Sequence, residues 1–214
     1  MATSPGPAHA SWTSQPILPR YHWQEAQEIF EYSGSQAAHI SLVRRRIRET
    51  DSKVEPELYV CKWYKTGGVK LDSIGGPKYI QREYETLSSL RHGNIVRYVD
   101  FGYDPRGAKL ARLYLEYCSG GDLRQYETAG DKNLSTRQSA QVLHQVAQAL
   151  LYLHHGIDKH DGKVRLARTT AGNVAEWQPI LHRDIKPANS GVPCLLAIET
   201  PTDSHQSLRV STSA

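Results

Sequence analysis

Lys62 and Glu83 are charged residues at positions that otherwise carry apolar side chains, and their placement predicts an ion pair between a strand and a helix. Glu83 lies three residues after Ile80 and four before Leu87, so helical geometry places these side chains on one face. Lys62 shares a strand face with apolar residues over 58–64. Because an unpaired carboxylate is costly among apolar groups, a lysine opposite Glu83 would stabilise both charges. The alternative is that each side chain reaches water independently.

A second group of polar residues forms the string H-R-D-I-K-P-A-N over residues 182–189. Its spacing, H-R-D-x-K-x-x-N, matches by chance in a chain of this length with a probability on the order of one in ten thousand. The string resembles the catalytic loop of eukaryotic protein kinases. A lysine two residues after the aspartate resembles the pattern of the serine/threonine class rather than that of the tyrosine class. The resemblance implies that Asp184 accepts the proton of the attacking hydroxyl, Lys186 supplies positive charge beside the transferred phosphoryl group, and Asn189 offers oxygen to Mg²⁺. The alternative is a solvated basic loop.

The resemblance extends toward the N terminus in the order that kinases require and covers about residues 24–189. Residues 59–62, Y-V-C-K, resemble the kinase strand V-A-I-K. This implies that Lys62 holds the α- and β-phosphates of ATP and that Glu83 pairs with it, in agreement with the argument from the apolar faces. Val60 replaces the alanine that the family places above the adenine, which would crowd the pocket.

Residues 113–123, L-Y-L-E-Y-C-S-G-G-D-L, resemble the hinge that joins the two lobes of a kinase. The resemblance implies that the backbone of Glu116 and Cys118 hydrogen-bonds the adenine, that Leu115 is the gatekeeper and that Asp122 lies beside the ribose. The amino-acid sequences of this segment and of the helix after it are most similar to those of the never-in-mitosis-A-related group.

The loop that should cover the phosphates departs from the family pattern G-x-G-x-x-G-x-V. It aligns with residues 33–40, where Gly34 is off position and Ile40 stands in the apolar position. Glycine lets the backbone approach phosphate without a Cβ in the way. The three glycine positions carry small residues instead, so we expect a strand–turn–strand with a weaker phosphate grip; they are Ser33, Ser35 and Ala38.

The metal-binding segment of a kinase is also missing from its expected place. A D-F-G string occurs at residues 100–102, upstream of the catalytic loop, where we expect it to end a strand and to bind no metal. After Asn189, residues 190–214 contain no D-F-G, no activation segment and no A-P-E. We therefore expect a chain truncated after the catalytic loop, by a truncated or mis-assembled coding region, with very low phosphotransfer. Part of the helical lobe's apolar surface would then be exposed.

The order of predicted elements is typical of an α+β fold with a kinase-like N-terminal lobe, a small antiparallel sheet plus one helix, followed by the start of a helical C-terminal lobe. A capping box at residues 135–138 and Gly156 predict a long helix over 136–155. The other predicted elements are strands over 40–43 and 58–64 with a hairpin loop over 44–57, a helix from Pro77, strands over 94–100 and 109–117, and a surface insertion over 157–179. The predicted domains are a mobile tail (1–23), the N-terminal lobe and hinge (24–118), the partial C-terminal lobe (119–189) and a divergent tail (190–214).

Composition bounds the partners and the compartment. The net charge of +4 is too small to argue for nucleic acid, and no apolar run approaches the roughly 18 residues of a membrane span. Three widely spaced cysteines and the absence of a signal-peptide pattern favour a reducing compartment, cytoplasmic or nuclear. We expect a serine/threonine kinase that uses ATP and Mg²⁺ on a protein substrate, without nucleic acid or membrane. The alternative is an inactive pseudokinase-like fragment that acts as an interaction module.

Overall fold

The computed structural model describes residues 16–30, 39–46, 54–65, 77–104, 110–124, 126, 134–160, 163–166, 177–191 and 209–210. The chain forms two compact units, residues 1–84 with 100–114 and residues 85–99 with 115–214. Among the described residues, no helix is both long and apolar enough to cross a membrane.

A five-stranded sheet has the order β1-β2-β3-β5-β4. Its strands are β1 (His22–Phe30), β2 (His39–Arg46), β3 (Val54–Lys65), β4 (Tyr98–Asp104) and β5 (Leu110–Glu116). β2 is antiparallel to both β1 and β3. Helix α1 (Pro77–Ser89) begins at the proline predicted for its first turn. The predicted combination of a small sheet and one helix is confirmed.

Three strands, β2, β3 and β4, differ from their predicted limits by more than one residue. β2 continues to Arg46, which lies opposite Val54 of β3, so the link predicted as a loop over 44–57 is partly strand. Arginines are compatible with this pairing because the hydrogen bonds between strands are made by backbone groups, and the long arginine side chains can reach water. β4 begins at Tyr98 rather than at residue 94.

Asp100 lies inside β4 and holds the segment that precedes β1. Its side chain is fully buried, and its carboxylate accepts hydrogen bonds from the backbone N–H of Arg20 at 3.0 Å and of Tyr21 at 3.1 Å. The indole N–H of Trp23 donates to the same carboxylate at 2.9 Å. The prediction that the D-F-G string over 100–102 ends a strand is wrong, because β4 runs through it. Its aspartate has a structural role in this unit.

The same N-terminal segment pairs with β4. Ile17 and Tyr103 exchange two backbone hydrogen bonds of 2.8 Å. A Cβ on Gly102 would lie only 2.7 Å from Pro19, so glycine permits this close approach. The predicted mobile tail over 1–23 is thus wrong from residue 16 onward. The prolines in this part of the sequence favoured a mobile tail. Hydrogen bonds to β4, about 80 residues away in the chain, instead hold residues 17, 20 and 21.

In the second unit, helix α2 (Thr136–His155) has the predicted ends. The Ser135 hydroxyl accepts from the backbone of Gln138, whose side chain accepts from the backbone of Ser135, and Gly156 ends the helix in a left-handed conformation with φ of 66°. The large apolar side chains of this helix are only partly buried. Leu153 is fully buried, whereas Leu143 is 70% exposed, so the expected exposed apolar surface is present on this helix.

The insertion predicted as a surface loop over 157–179 contains a hairpin instead. β6 (Ile157–His160) pairs antiparallel with β7 (Lys163–Leu166). After it, Trp177 donates its indole N–H to the Leu153 carbonyl at 2.9 Å and satisfies an acceptor at the end of α2. The sequence signal for the hairpin is the Asp-Gly pair at 161–162 between two short alternating runs.

The chain after the catalytic-loop string also forms a ladder within this unit. A single turn of 3₁₀-helix, Pro187–Asn189, leads into β8 (Ser190–Gly191), which pairs antiparallel with β9 (Arg209–Val210). The predicted domain limits at 118 and 189 stay predictions.

We predict that Asp100→Asn lowers the free energy of unfolding by about 1–3 kcal/mol, because an amide cannot accept all the hydrogen bonds that the buried carboxylate accepts. Urea denaturation followed by tryptophan fluorescence measures the change. The matched control is Asp104→Asn, an exposed position at the end of the same strand, where we expect a change below about 0.5 kcal/mol. Equal losses in the two variants would show that Asp100 does not anchor the N-terminal segment.

Candidate functional site

The predicted ion pair between Lys62 and Glu83 is present in the first unit. The Lys62 Nζ lies 3.3 Å from the Glu83 Oε1, and the side chains are 21% and 3% exposed. The other carboxylate oxygen, Oε2, accepts a hydrogen bond from the Tyr64 hydroxyl at 2.7 Å. β3 places Lys62 and Tyr64 on one face because they are two residues apart, and α1 supplies Glu83 from its buried face.

Burial makes this carboxylate dependent on its partners. A buried charge that loses its partner destabilises a protein by roughly 3–5 kcal/mol. Burial, and then the adjacent Glu83 carboxylate, raise the pKa of Tyr64 well above its ordinary value, so its hydroxyl stays protonated and can donate. Sequence reasoning placed Tyr64 on the face of Lys62 but missed its bond to Glu83. The available signal for this bond was that Tyr64 lies two residues after Lys62 on the same strand face, opposite the predicted buried Glu83.

Ile40 and Val60 are positioned beside this pair by the register of the sheet. Ile40 lies opposite Lys62 and Leu42 lies opposite Val60, and both Ile40 and Val60 are half-buried. The stretch aligned with the phosphate-covering loop, including Gly34, lies outside the described residues up to residue 38.

The second unit brings together the three polar residues predicted from the H-R-D string. The Asp184 Oδ2 accepts from the Lys186 ammonium at 2.9 Å and from the Asn189 amide at 2.8 Å. The same amide nitrogen also donates to the Asp184 backbone carbonyl at 2.9 Å. Asp184 and Lys186 are half-exposed, with 44% and 51% of their side chains accessible. A carboxylate held at its oxygen yet open to solvent can take a proton from an incoming hydroxyl.

Residues around the string fix its backbone. His182 is buried, and its Nδ1 accepts from the Asp184 backbone N–H at 3.3 Å. Arg183 adopts a positive φ of 62°, a conformation that non-glycine residues seldom take and that turns the chain sharply before the aspartate. The Ser190 hydroxyl donates to the Lys186 carbonyl at 3.2 Å.

The segment predicted as a hinge also has defined contacts within this unit. The Glu116 N–H donates to the Arg97 carbonyl at 3.0 Å, and its carboxylate accepts from the Arg97 N–H at 2.8 Å. Cys118 is half-buried, its sulfur is not part of a disulfide, and its backbone carbonyl accepts from the Gly121 N–H at 3.1 Å. Asp122 forms a bridge with Gly191, and Leu123 N–H donates to the carbonyls of the catalytic-loop segment. The end of this segment, at residues 122–123, is therefore adjacent to residues 187–191.

The residues that could meet a metal offer a small donor set. Asn189 uses its amide nitrogen toward Asp184, so its oxygen is the atom of the type that Mg²⁺ takes. Within the part of the chain that the structure describes, no group of three or more His, Cys, Asp or Glu side chains could hold a metal ion by itself.

Comparison with known proteins identifies the family. A protein-family model described as protein kinase domain matches residues 46–190. The chain is 37% identical over 123 residues to the G2-specific protein kinase nimA of Emericella nidulans, covering 50% of this chain and 16% of that protein. It is 35% identical over 107 residues to human serine/threonine-protein kinase Nek2, covering 50% of this chain and 21% of that protein.

A third relative comes from a plant. The probable L-type lectin-domain containing receptor kinase V.3 of Arabidopsis thaliana is 34% identical over 124 residues, covering 56% of this chain and 15% of that protein. The chain thus spans less than a quarter of the length of these relatives. Because the family model matches more than half of the chain, the chain belongs to the protein kinase family. The predicted fold class and the predicted resemblance to never-in-mitosis-A-related kinases are confirmed.

We predict that the free energy of unfolding falls as the pH rises above about 9. Burial raises the pKa of the Cys61 thiol from 9.0 to about 12, and burial likewise raises the pKa of Tyr64 and Tyr114. The unfolded chain therefore releases these protons first, which favours unfolding by up to about 1.4 kcal/mol per pH unit for each group.

Urea denaturation between pH 8 and 11 measures this dependence. The Cys61→Ala variant should lose the part of the decline that begins near pH 9, because the thiol with the ordinary pKa of 9.0 titrates first in the unfolded chain. A free energy of unfolding that stays constant up to pH 11 would contradict the protonated state of these buried groups.

Proposed function

We propose that this chain is the ATP-binding and catalytic-loop region of a serine/threonine protein kinase. The observation that carries the proposal is the local constellation of Asp184, Lys186 and Asn189, which the three hydrogen bonds at 2.8–2.9 Å bring together. Support for the serine/threonine class comes from Lys186 in the string and from the printed name of the human relative.

The proton of the attacking hydroxyl would pass to Asp184. Its carboxylate is oriented by the Asn189 amide and open enough to approach a serine or threonine side chain of a protein substrate. The Lys186 ammonium, 2.9 Å from the carboxylate, supplies positive charge where the transferred phosphoryl group would develop negative charge. Phosphoryl transfer needs little covalent help from a protein, so positioning and charge do most of the catalysis.

Lys62 would bind the phosphates of ATP from the first unit. Its ammonium is partly accessible and is held by Glu83 at 3.3 Å. The other residues proposed to contact ATP are the apolar pair Ile40 and Val60, the loop residue Gly34, the Glu116 carbonyl and the Cys118 N–H for adenine, and Asp122 for the ribose. Within the second unit the Glu116 N–H donates to Arg97 and the Cys118 carbonyl accepts from Gly121.

Mg²⁺ bound with ATP would neutralise charge on the phosphates, and the Asn189 oxygen is the group in this chain proposed to face it. Residues 190–214 contain the carboxylates Glu199 and Asp203 but no D-F-G string. We therefore propose very low phosphotransfer by the 214-residue chain. The cytoplasmic or nuclear location and the absence of a nucleic-acid partner stay predictions.

The second candidate function is an inactive interaction module. It is favoured by three large apolar side chains that are exposed in the second unit. Leu143, Leu181 and Ile185 are 70%, 61% and 46% exposed, and apolar surface of this kind is typical of protein–protein contacts.

The test of nucleotide binding compares Lys62→Met with Lys159→Met, an exposed lysine elsewhere. Isothermal titration calorimetry with ATP and Mg²⁺ should show an affinity at least about tenfold weaker in Lys62→Met, because a charge-assisted contact is worth about 1.5–3 kcal/mol. We expect no change in Lys159→Met. Equal affinities in all three proteins would contradict the role of Lys62.

A radiolabelled-ATP assay on a generic protein substrate then separates the two candidate functions. We expect transfer barely above background. Turnover that Asp184→Asn abolishes would contradict the low activity while supporting the role of Asp184. No nucleotide binding, together with a defined complex in size-exclusion chromatography, would favour the interaction module instead.

A further inference from the structure

The Glu83 carboxylate is shared between two residues of β3, and the second of them has no assigned role. We propose that Tyr64 is a positioning residue: its hydroxyl holds Glu83 in place so that the ion pair with Lys62 is set before a nucleotide binds. The proposal rests on the proposed ATP-binding role of Lys62 and deepens it.

The distances show which bond constrains the carboxylate more. The Tyr64 hydroxyl lies 2.7 Å from Oε2, whereas the Lys62 ammonium lies 3.3 Å from Oε1. A hydroxyl–carboxylate bond of this length is among the strong, charge-assisted ones, and ammonium–carboxylate bonds of that strength are usually shorter than 3.3 Å. Glu83 is therefore held mainly by Tyr64, and its bond to Lys62 is the looser of the two.

Burial and side-chain flexibility also indicate that Tyr64 holds Glu83 more firmly than Lys62 does. Tyr64 and Glu83 are 2% and 3% exposed, so the packed core fixes both. Lys62 is 21% exposed on a flexible four-carbon stem, which lets its ammonium shift toward a phosphate. When Lys62 shifts, Glu83 keeps the Tyr64 bond and its position. The raised pKa of Tyr64 supports this arrangement because the hydroxyl remains a donor across the physiological pH range.

A purely structural role for Tyr64 would predict lost stability without a change in the chemistry of Lys62. A carboxylate bonded to the ammonium restricts the movement of the flexible lysine side chain toward a reagent. If the hydroxyl keeps Glu83 against Lys62, its removal lets the carboxylate move and releases the Lys62 side chain for reaction. The rate of acylation at Lys62 therefore separates positioning from packing.

The experiment acylates the full chain with an N-hydroxysuccinimide ester and follows Lys62 by peptide mass spectrometry. We expect Tyr64→Phe to react roughly threefold to tenfold faster than wild type, toward the rate of Glu83→Gln, which lacks the charged partner that holds Lys62. The matched control is Tyr114→Phe, another buried tyrosine of the same sheet, whose Lys62 should react at the wild-type rate. A Tyr64→Phe rate equal to or below wild type would overturn the proposal.

A second readout is the affinity for ATP with Mg²⁺ in the same variants. We expect Tyr64→Phe to bind roughly tenfold more weakly than wild type and Tyr114→Phe to bind equally well. If wild type fails to bind ATP but Tyr64→Phe still accelerates acylation, the proposed function fails while the positioning role stands. If wild type binds ATP and acylation is unchanged, the positioning role alone fails.

A measurement on wild type covers the case in which Tyr64→Phe does not fold. With selectively labelled tyrosine, nuclear magnetic resonance should detect a slowly exchanging hydroxyl proton on Tyr64. Its resonance should shift in Glu83→Gln, since a neutral acceptor forms a weaker bond than a carboxylate. A Tyr64 hydroxyl proton that exchanges as fast as an exposed one would contradict the bond to Glu83.

Discussion

The buried Glu83 carboxylate constrains how helix α1 packs against strand β3. Glu83 is 3% exposed on a helix face that otherwise carries apolar residues, so it needs charge and hydrogen bonds from β3. Lys62 and Tyr64 supply them, and the two bonds join α1 to β3 at this point. A group that is costly to bury alone thus constrains the packing of the helix, and the same bonds hold the lysine that we propose to bind phosphate.

The polar residues of the second unit are organised over a much shorter distance in the chain. Asp184 receives the Lys186 and Asn189 side chains from two and five residues away, so one turn of 3₁₀-helix and one residue with positive φ suffice to assemble them. The surrounding bonds from His182 and Ser190 are also local. Such a constellation can be recognised as a string, which explains why the family is evident from the sequence.

The sequence predicted the elements whose limits are set by neighbouring residues. It did not predict contacts between residues far apart in the chain, or a hairpin whose sequence pattern covers only a few residues. The ends of α2 follow from Ser135, Gln138 and Gly156 alone. Residues 20–23 are anchored by Asp100, which the sequence offers only as part of a misplaced D-F-G string. The β6–β7 hairpin was missed because residues 157–179 were judged by polarity and not by the Asp-Gly pair between alternating runs.

The most direct test of this account is a double-mutant cycle on the free energy of unfolding with Lys62→Met and Glu83→Gln, measured by urea denaturation at pH 7.5. Because the two side chains share one bond and Glu83 is buried, we expect a coupling of about 1–3 kcal/mol between the substitutions. Additivity within about 0.3 kcal/mol would show that lysine and glutamate act independently, and it would contradict the ion pair on which the proposed nucleotide site depends.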